Sequence, residues 1–240
     1  MRRVWPDPVD DLTVDDAVTH QRLPHGPHRP WVMLCMVMSL DGSTVVNGRS
    51  GDLSHPVDAA LLSALRRQAD VILVGAGTVR AEGYGPPRHP GQRIVVVSRT
   101  GDVDHSAPLF TSGAGMLALP EDAPSVPVPS VRAGTGTVDL AGIVAQLDAE
   151  VIQAEGGATL NAALAEVDLL DELNVTLAPW VAGGDGPRLT SGAPALMHRL
   201  RLAQLAEHED YVFMRWLRDQ RSPSSNASSR RKSSTSSKPL

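Results

Sequence analysis

Two adjacent glycines, Gly156-Gly157, stand between an apolar run that opens at Val151-Ile152 and a helical pattern that opens near Thr159. Glycines at a strand-to-helix turn let the backbone approach a ligand closely, and the free N–H groups of a helix start favour an anion such as a pyrophosphate. Gly156 and Gly157, with the helix start near Thr159, are therefore read as meeting a nucleotide, and Glu155, at the strand exit just before them, as touching a substrate. A second glycine-bearing segment, Gly75-Ala76-Gly77-Thr78-Val79-Arg80, begins like a dinucleotide fingerprint but has Arg80 where the third glycine belongs. Ser98-Arg99 follows the apolar run at 94–97, where an arginine meets an adenosine 2′-phosphate. No acid stands beside it at the strand end to hold a free 2′-hydroxyl, which favours NADPH over NADH. Hydride transfer asks a protein mainly for positioning and for one proton. Asp41, Asp52 and Glu155 are the candidate carboxyls, with Asp41 and Glu155 put forward as catalytic. Asp41 also fits a turn, Glu155 also fits an acceptor for local backbone N–H groups, and Arg66 fits either a phosphate anchor or a solvated helix position. His55 and His89 lack metal-ligand spacing, so no metal is expected.

These residues need a scaffold that gathers loop ends. The segment 31–38 is continuously apolar, the pattern of a strand buried on both faces at the centre of a sheet. Residues 57–69 repeat apolar side chains at helical spacing behind Pro56, with Ser54 or His55 as cap. Short apolar runs at 71–74 and 94–97, and a weaker one at 116–119, predict further strands; 140–147 and 159–165 predict helices. Alternation at 173–177 marks a strand with one polar face, and 200–206 with 211–217 reads as an antiparallel pair around a turn at 207–210. The expected fold is a single-domain α/β three-layer arrangement, its sheet mixed but mostly parallel, with antiparallel C-terminal strands. Ligands bind such sheets beyond the carboxyl ends of the strands, where Ser39-Leu40-Asp41-Gly42, Gly75-Ala76-Gly77-Thr78, Ser98-Arg99-Thr100 and Glu155-Gly156-Gly157 all fall.

Composition excludes several classes. Among 240 residues, 42% hydrophobic and 20% charged suit a soluble globular protein. The single cysteine, Cys35, rules out an intrachain disulfide and a cysteine-rich zinc site and fits a reducing cytoplasm. Both lysines, Lys232 and Lys238, lie near the C-terminus, so the folded region has no P-loop lysine, no Schiff-base lysine and no Tyr-Lys pair. Residues 1–220 carry 17 basic and 27 acidic side chains, a poor balance for nucleic acid. No stretch approaches a membrane span, and no signal peptide is expected after Met1-Arg2-Arg3. Residues 1–28 are expected as an extended N-terminal arm with a short helix near Val14, 29–218 as the one folded domain that carries these motifs, and 219–240 as a disordered serine-rich basic tail.

The ordered motifs resemble the riboflavin-biosynthesis pyrimidine reductase family, the RibD C-terminal domain, whose fold is dihydrofolate-reductase-like. The resemblance runs from about Arg29 to Leu217. It rests on Ser39-Leu40-Asp41-Gly42, Ser50-Gly51-Asp52-Leu53-Ser54, the segment 69–82, Ala154-Glu155-Gly156-Gly157-Ala158-Thr159-Leu160, and Asp171-Glu172-Leu173 followed by Ala178-Pro179 and Gly183-Gly184. It implies NADPH-dependent reduction of the ribosylamino side chain of a phosphorylated aminopyrimidine, 5-amino-6-(5-phosphoribosylamino)uracil, to ribitylamino, in a homodimer. It also implies cofactor contacts at Thr78, Glu82 and Asp52 and along Gly157 to Ala163, with Ala158, Thr159 and Leu160 among them, and substrate contacts at Ser50, Arg66 and Glu155. Two positions depart from the family: Asp52 stands where many members have tryptophan, and Cys35 where well-known members have a substrate-facing lysine. Those departures keep open a reductase of a pteridine or of another small carbonyl or imine. A protein that binds NADPH without turnover is the remaining alternative. No zinc deaminase motif accompanies the domain.

Overall fold

The segment Trp31–Met38 is apolar throughout because, as strand β2, it has helices on both sides. Val32 and Leu34 pack on one face of the sheet, while Met33, Cys35 and Val37 pack on the other. This structure is a computed structural model that describes residues 1–219 apart from Pro27, Ala193 and Leu196. Its other strands are β1 (Arg2–Trp5), β3 (Val71–Gly75), β4 (Arg93–Val97), β5 (Gly115–Leu119), β6 (Ser130–Arg132), β7 (Val151–Ala154), β8 (Glu172–Leu177), β9 (Leu200–His208) and β10 (Tyr211–Arg218). They form one sheet in the order β1-β9-β10-β8-β2-β7-β3-β4-β5-β6. The strands from β8 to β6 are parallel, and β10, β9 and β1 add antiparallel at one edge. Helices α1 (Val14–Val18) and α2 (Pro56–Arg66) cover the Met33 and Cys35 face, and α4 (Pro108–Thr111) covers Ile72 and Val74. Helices α5 (Leu140–Gln146) and α6 (Ala158–Glu166) cover the Val32 and Leu34 face. The remaining helix, α3 (Ala76–Glu82), leaves β3 directly.

Several elements differ from the sequence expectation. Helix α2 stops at Arg66 instead of running to Ala69, because the Gln92 side chain donates to the carbonyls of Arg66 and Ala69 at 2.6 and 2.7 Å and closes the turn. Its cap is His55, whose Nδ1 accepts the Val57 N–H. The hairpin turn is tighter than 207–210: β9 runs to His208, and Glu209 and Asp210 both take positive φ, as a two-residue turn requires. The stretch 76–82 is a helix, ended by Gly83 at φ +69°.

The N-terminal segment, expected as an extended arm with a short helix, packs on the sheet through β1 and α1. β1 pairs with β9, Ala17 and Val18 of α1 are buried, and Arg22 is 7% exposed. Arg22 reaches Glu172 at the start of β8, and His25 and Arg29 reach Asp171 beside it. The Glu172 carboxylate also accepts from Arg215 Nε and Nη2, Trp31 Nε1 and Asn174 Nδ2. Burial alone would raise its pKa, but Arg215 and Arg22 overcome this and hold it at about 2. A carboxyl depressed in the folded state stabilises above its unfolded value and loses that contribution as pH falls through its folded value. Urea unfolding at a series of pH values should therefore show stability falling from about pH 4.5 downward, with a shallower fall in Glu172→Gln. The serine-rich stretch from residue 220 onward lies outside the described residues.

Candidate active site

The carboxyl ends of β2, β3, β4 and β7 open onto two cavities that share Gly77, Thr78, Gly157 and Ala158. The larger, about 590 Å³, lies over β3, β4 and the start of α6; the smaller, about 260 Å³, lies over β2 and α2. Sharing a floor of small residues lets a ligand in one reach a ligand in the other.

The larger cavity gathers Thr78, Ser98, Arg99, Gly157, Ala158, Thr159 and Leu160, seven of the residues assigned to a nucleotide. Gly157 caps α6 with no side-chain hydrogen bond, and no acid occupies the first turn, so the leading N–H groups face the cavity without a competing anion. The loop is locked in place. Gly157 has φ +30° and donates its N–H to Thr78 Oγ1 at 3.0 Å, while Gly156, at φ +88°, gives its carbonyl to the Gly75 N–H. A Cβ on Gly156 would meet Met36 Sδ at 2.7 Å, so that glycine serves packing and is not itself in the lining. Ser98 Oγ accepts the Gly101 N–H at 3.0 Å and shapes the turn that presents Arg99. Arg99 is exposed and has no side-chain partner among the described residues. Asp102 lines the same cavity, an acid that sequence reasoning did not place there, and so does Arg80, which donates to the Asp102 carbonyl.

The smaller cavity holds Ser50 and Glu155, two of the three residues assigned to a substrate. It also holds Glu82, which was assigned to the nucleotide. Glu82 lies four residues beyond Thr78, roughly 6 Å further along α3, where its carboxylate accepts the Ser50 N–H and hydroxyl. Asp52 reaches neither cavity: the 3-10 turn Gly51–Leu53 sinks Leu53 into the core and turns Asp52 to solvent. Asp41 is also outside both. Its carboxylate accepts from Ser39 Oγ at 2.6 Å and from the N–H groups of Ala182 and Gly183 at 2.9 and 2.7 Å. The Ser39 hydrogen bond first, then those of the two backbone amides, hold its pKa at about 2. An acid ionised to that pH has no proton to give near neutrality, so the turn reading describes Asp41.

Arg66 and Glu155 face each other. Arg66 Nε and Nη2 bind the two Glu155 oxygens at 2.6 and 2.5 Å, and Tyr84 Oη and Gln153 Nε2 add bonds of 2.7 and 3.0 Å. Each Glu155 oxygen thus accepts two hydrogen bonds, so the group positions its neighbours and is not an open proton acceptor. Arg66 is spent on this pair and is absent from the cavity lining, which removes it as a phosphate anchor there. Burial would lower the Arg66 pKa, but the Glu155 contact outweighs it and the net shift is upward. Burial first, then Glu155, push the Tyr84 hydroxyl well above its usual range, so it stays a donor. No arginine, lysine or histidine is among the residues lining this cavity. It does contain Asp58 and Tyr84, which sequence reasoning missed. The signal for Asp58 was present: it sits three and seven residues before Leu61 and Leu65, an acid on the apolar face of α2. Among the described residues, no group of His, Cys, Asp and Glu is placed to hold a metal, and no helix is long and apolar enough to cross a membrane.

The family described as the RibD C-terminal domain matches residues 30–212. A 2,5-diamino-6-ribosylamino-4(3H)-pyrimidinone 5′-phosphate reductase of Methanothermobacter thermautotrophicus is 33% identical over 178 residues, covering 67% of this chain and 82% of the relative. Among solved structures, a pyrimidine reductase-like protein from Corynebacterium diphtheriae superposes with a TM-score of 0.74 at 24% identity, over 87% of this chain and 100% of that one. A dihydrofolate reductase from Enterococcus faecalis superposes with a TM-score of 0.51 at 12% identity, over 79% of this chain and 96% of that one.

Proposed function

The chain belongs to the RibD C-terminal domain family, and from that premise we propose that it is an NADPH-dependent reductase of the riboflavin-pathway type. Its substrate is a ribosylaminopyrimidine phosphate, and its product carries a ribitylamino side chain. The observation that carries this reading is the pair of cavities joined at Gly77, Thr78, Gly157 and Ala158: the larger fits a dinucleotide, and the smaller a heterocycle beside it. The larger cavity suits an anionic cofactor because it combines the uncapped start of α6 with the guanidinium groups of Arg80 and Arg99, opposed by the one acid Asp102. When bound, a reduced nicotinamide would supply a hydride to C1′ once the ribose ring has opened to the imine, its C1′–O4′ bond broken, and one proton from solvent completes the ribitylamine.

The chain supplies position. Thr78 fixes the Gly157 turn between the two ligands, and the bonded set Arg66, Glu155 and Tyr84 makes the far wall rigid. Glu155 is a positioning residue in this reading. The substrate phosphate belongs at the mouth of the smaller cavity, where Arg49 and Arg188 directly follow the lining residues Gly48 and Pro187. Both arginines are exposed and lack side-chain partners among the described residues.

A homodimer is part of the proposal. Leu40, Trp180 and Val181 are exposed apolar side chains, and the Leu40 N–H binds the Trp180 carbonyl, so they form one surface suited to a second copy. A reducing cytoplasm is proposed from the free, buried Cys35. The cofactor assignment is tested by Arg99→Ala. Fluorescence titration should show NADPH affinity falling about 10- to 100-fold with NADH affinity nearly unchanged, the worth of a charge-assisted contact to the 2′-phosphate. Equal losses for the two cofactors would place the 2′-position elsewhere.

A further inference from the structure

Asp58 lines the smaller cavity and is 7% exposed, yet among the described residues its carboxylate accepts a single hydrogen bond, from the Ser54 hydroxyl at 2.6 Å. An acid in the first turn of α2 would complement the helix start equally well facing water. Burying it instead gives up hydration, a cost that a bound donor recovers. The other two acids of the cavity are already engaged: Glu155 accepts four hydrogen bonds and Glu82 holds Ser50. Cys35, in the same lining, is held well above its ordinary pKa by burial and then by the charge of Asp58, which leaves it an inert wall. Asp58 is thus the lining carboxylate left with an oxygen to offer a ligand.

The geometry points to Asp58 as the residue that reads position 2 of the pyrimidine ring, selecting a 2-amino ring over a uracil. The inference rests on the reductase reading above. A carboxylate offers acceptors only. A 2-amino-4(3H)-pyrimidinone presents the 2-amino group and N3–H side by side, two parallel donors that match both carboxylate oxygens. A uracil puts its C2 carbonyl in the place of the amino group, so acceptor faces acceptor, one bond is lost and the buried charge stays undersatisfied. Val37 and Leu62, also in the lining, are apolar surface for the ring faces.

The test uses the full chain and two substrates, 2,5-diamino-6-ribosylamino-4(3H)-pyrimidinone 5′-phosphate and 5-amino-6-(5-phosphoribosylamino)uracil. Binding of each is measured by calorimetry with NADP⁺ present, where no reduction occurs, and kcat and KM are measured separately with NADPH. Wild type should bind the 2-amino compound at least about 30-fold more tightly. In Asp58→Asn the carboxamide offers one donor and one acceptor, so the preference should fall by about 10-fold or more, carried by KM, with NADPH affinity unchanged. Asp58→Ala should weaken the 2-amino compound and barely change the uracil. Equal affinities in wild type, or a preference that survives Asp58→Asn, overturn the inference. An Asp58-dependent preference without turnover supports it and sinks the reductase reading, whereas turnover of both rings with equal efficiency does the reverse.

Discussion

Gly157→Val is expected to weaken NADPH binding by at least about 100-fold while the chain remains folded, the loss expected when two charge-assisted backbone contacts are broken. Gly157 holds φ +30°, a conformation side chains of L residues rarely adopt, and a Cβ there would stand 3.1 Å from Thr78 Oγ1. Thr78 Oγ1 is also the acceptor of the Gly157 N–H, so the valine must displace the group that fixes the turn. Strain of about 1 to 3 kcal/mol then falls on a loop that lines both cavities, and the peptide rotates away from the α6 start. Circular dichroism should be unchanged because the loop lies beyond the ends of the strands. Gly157→Ala, with a smaller and unbranched side chain, should show the same effect reduced. A valine variant that binds NADPH normally would show that the pyrophosphate does not use this turn.

The second large effect is on stability. Glu172→Gln should cost about 3 to 5 kcal/mol in urea unfolding, the usual result of leaving buried charge unpaired. The Glu172 side chain is 0% exposed, and its partners Arg22 and Arg215 are 2% and 11% exposed. A neutral amide keeps the shape, but the two guanidinium groups lose their shared counter-charge in a region water does not reach. Because Arg22 belongs to the N-terminal segment and Arg215 to β10, the damage should spread to the docking of residues 1–29 and loosen them to limited proteolysis. A change below about 1 kcal/mol would mean that these charges are solvated in solution.

The parallel centre of the sheet was legible in the sequence because strands covered on both faces leave unbroken apolar runs, as at 31–38, 71–74 and 94–97. The edges were not. β1 and β6 are four and three residues long, and their chains read as polar or proline-bounded loops until long-range pairing with β9 and β5 defines them. Helix α3 was hidden because Gly75 and Gly77 argue locally against a helix, whereas the strand before it fixes where the helix starts.

Legibility at the site followed the same division. Gly157, Thr78 and Arg99 announce themselves by type at strand ends, and they line one cavity. The acids do not, since a carboxylate's role depends on what reaches it. Asp41 was claimed by Ser39 and two backbone amides, and Glu155 by Arg66, Tyr84 and Gln153. Asp58 is marked in the sequence only by its spacing to Leu61 and Leu65 on the apolar face of α2, and the packing of α2 against β2 is what buries it.

The most direct measurement is the fate of the hydride. The chain is incubated with NADPH deuterated at the transferring C4 position and a ribosylaminopyrimidine phosphate, and the product is analysed by mass spectrometry and proton NMR. The expected result is one deuterium in each ribitylamino product, at C1′, with one NADPH consumed per product. NADPH that binds tightly yet leaves the ribosylamino side chain unreduced, or a product that carries its deuterium elsewhere, would contradict the assignment of the two joined cavities.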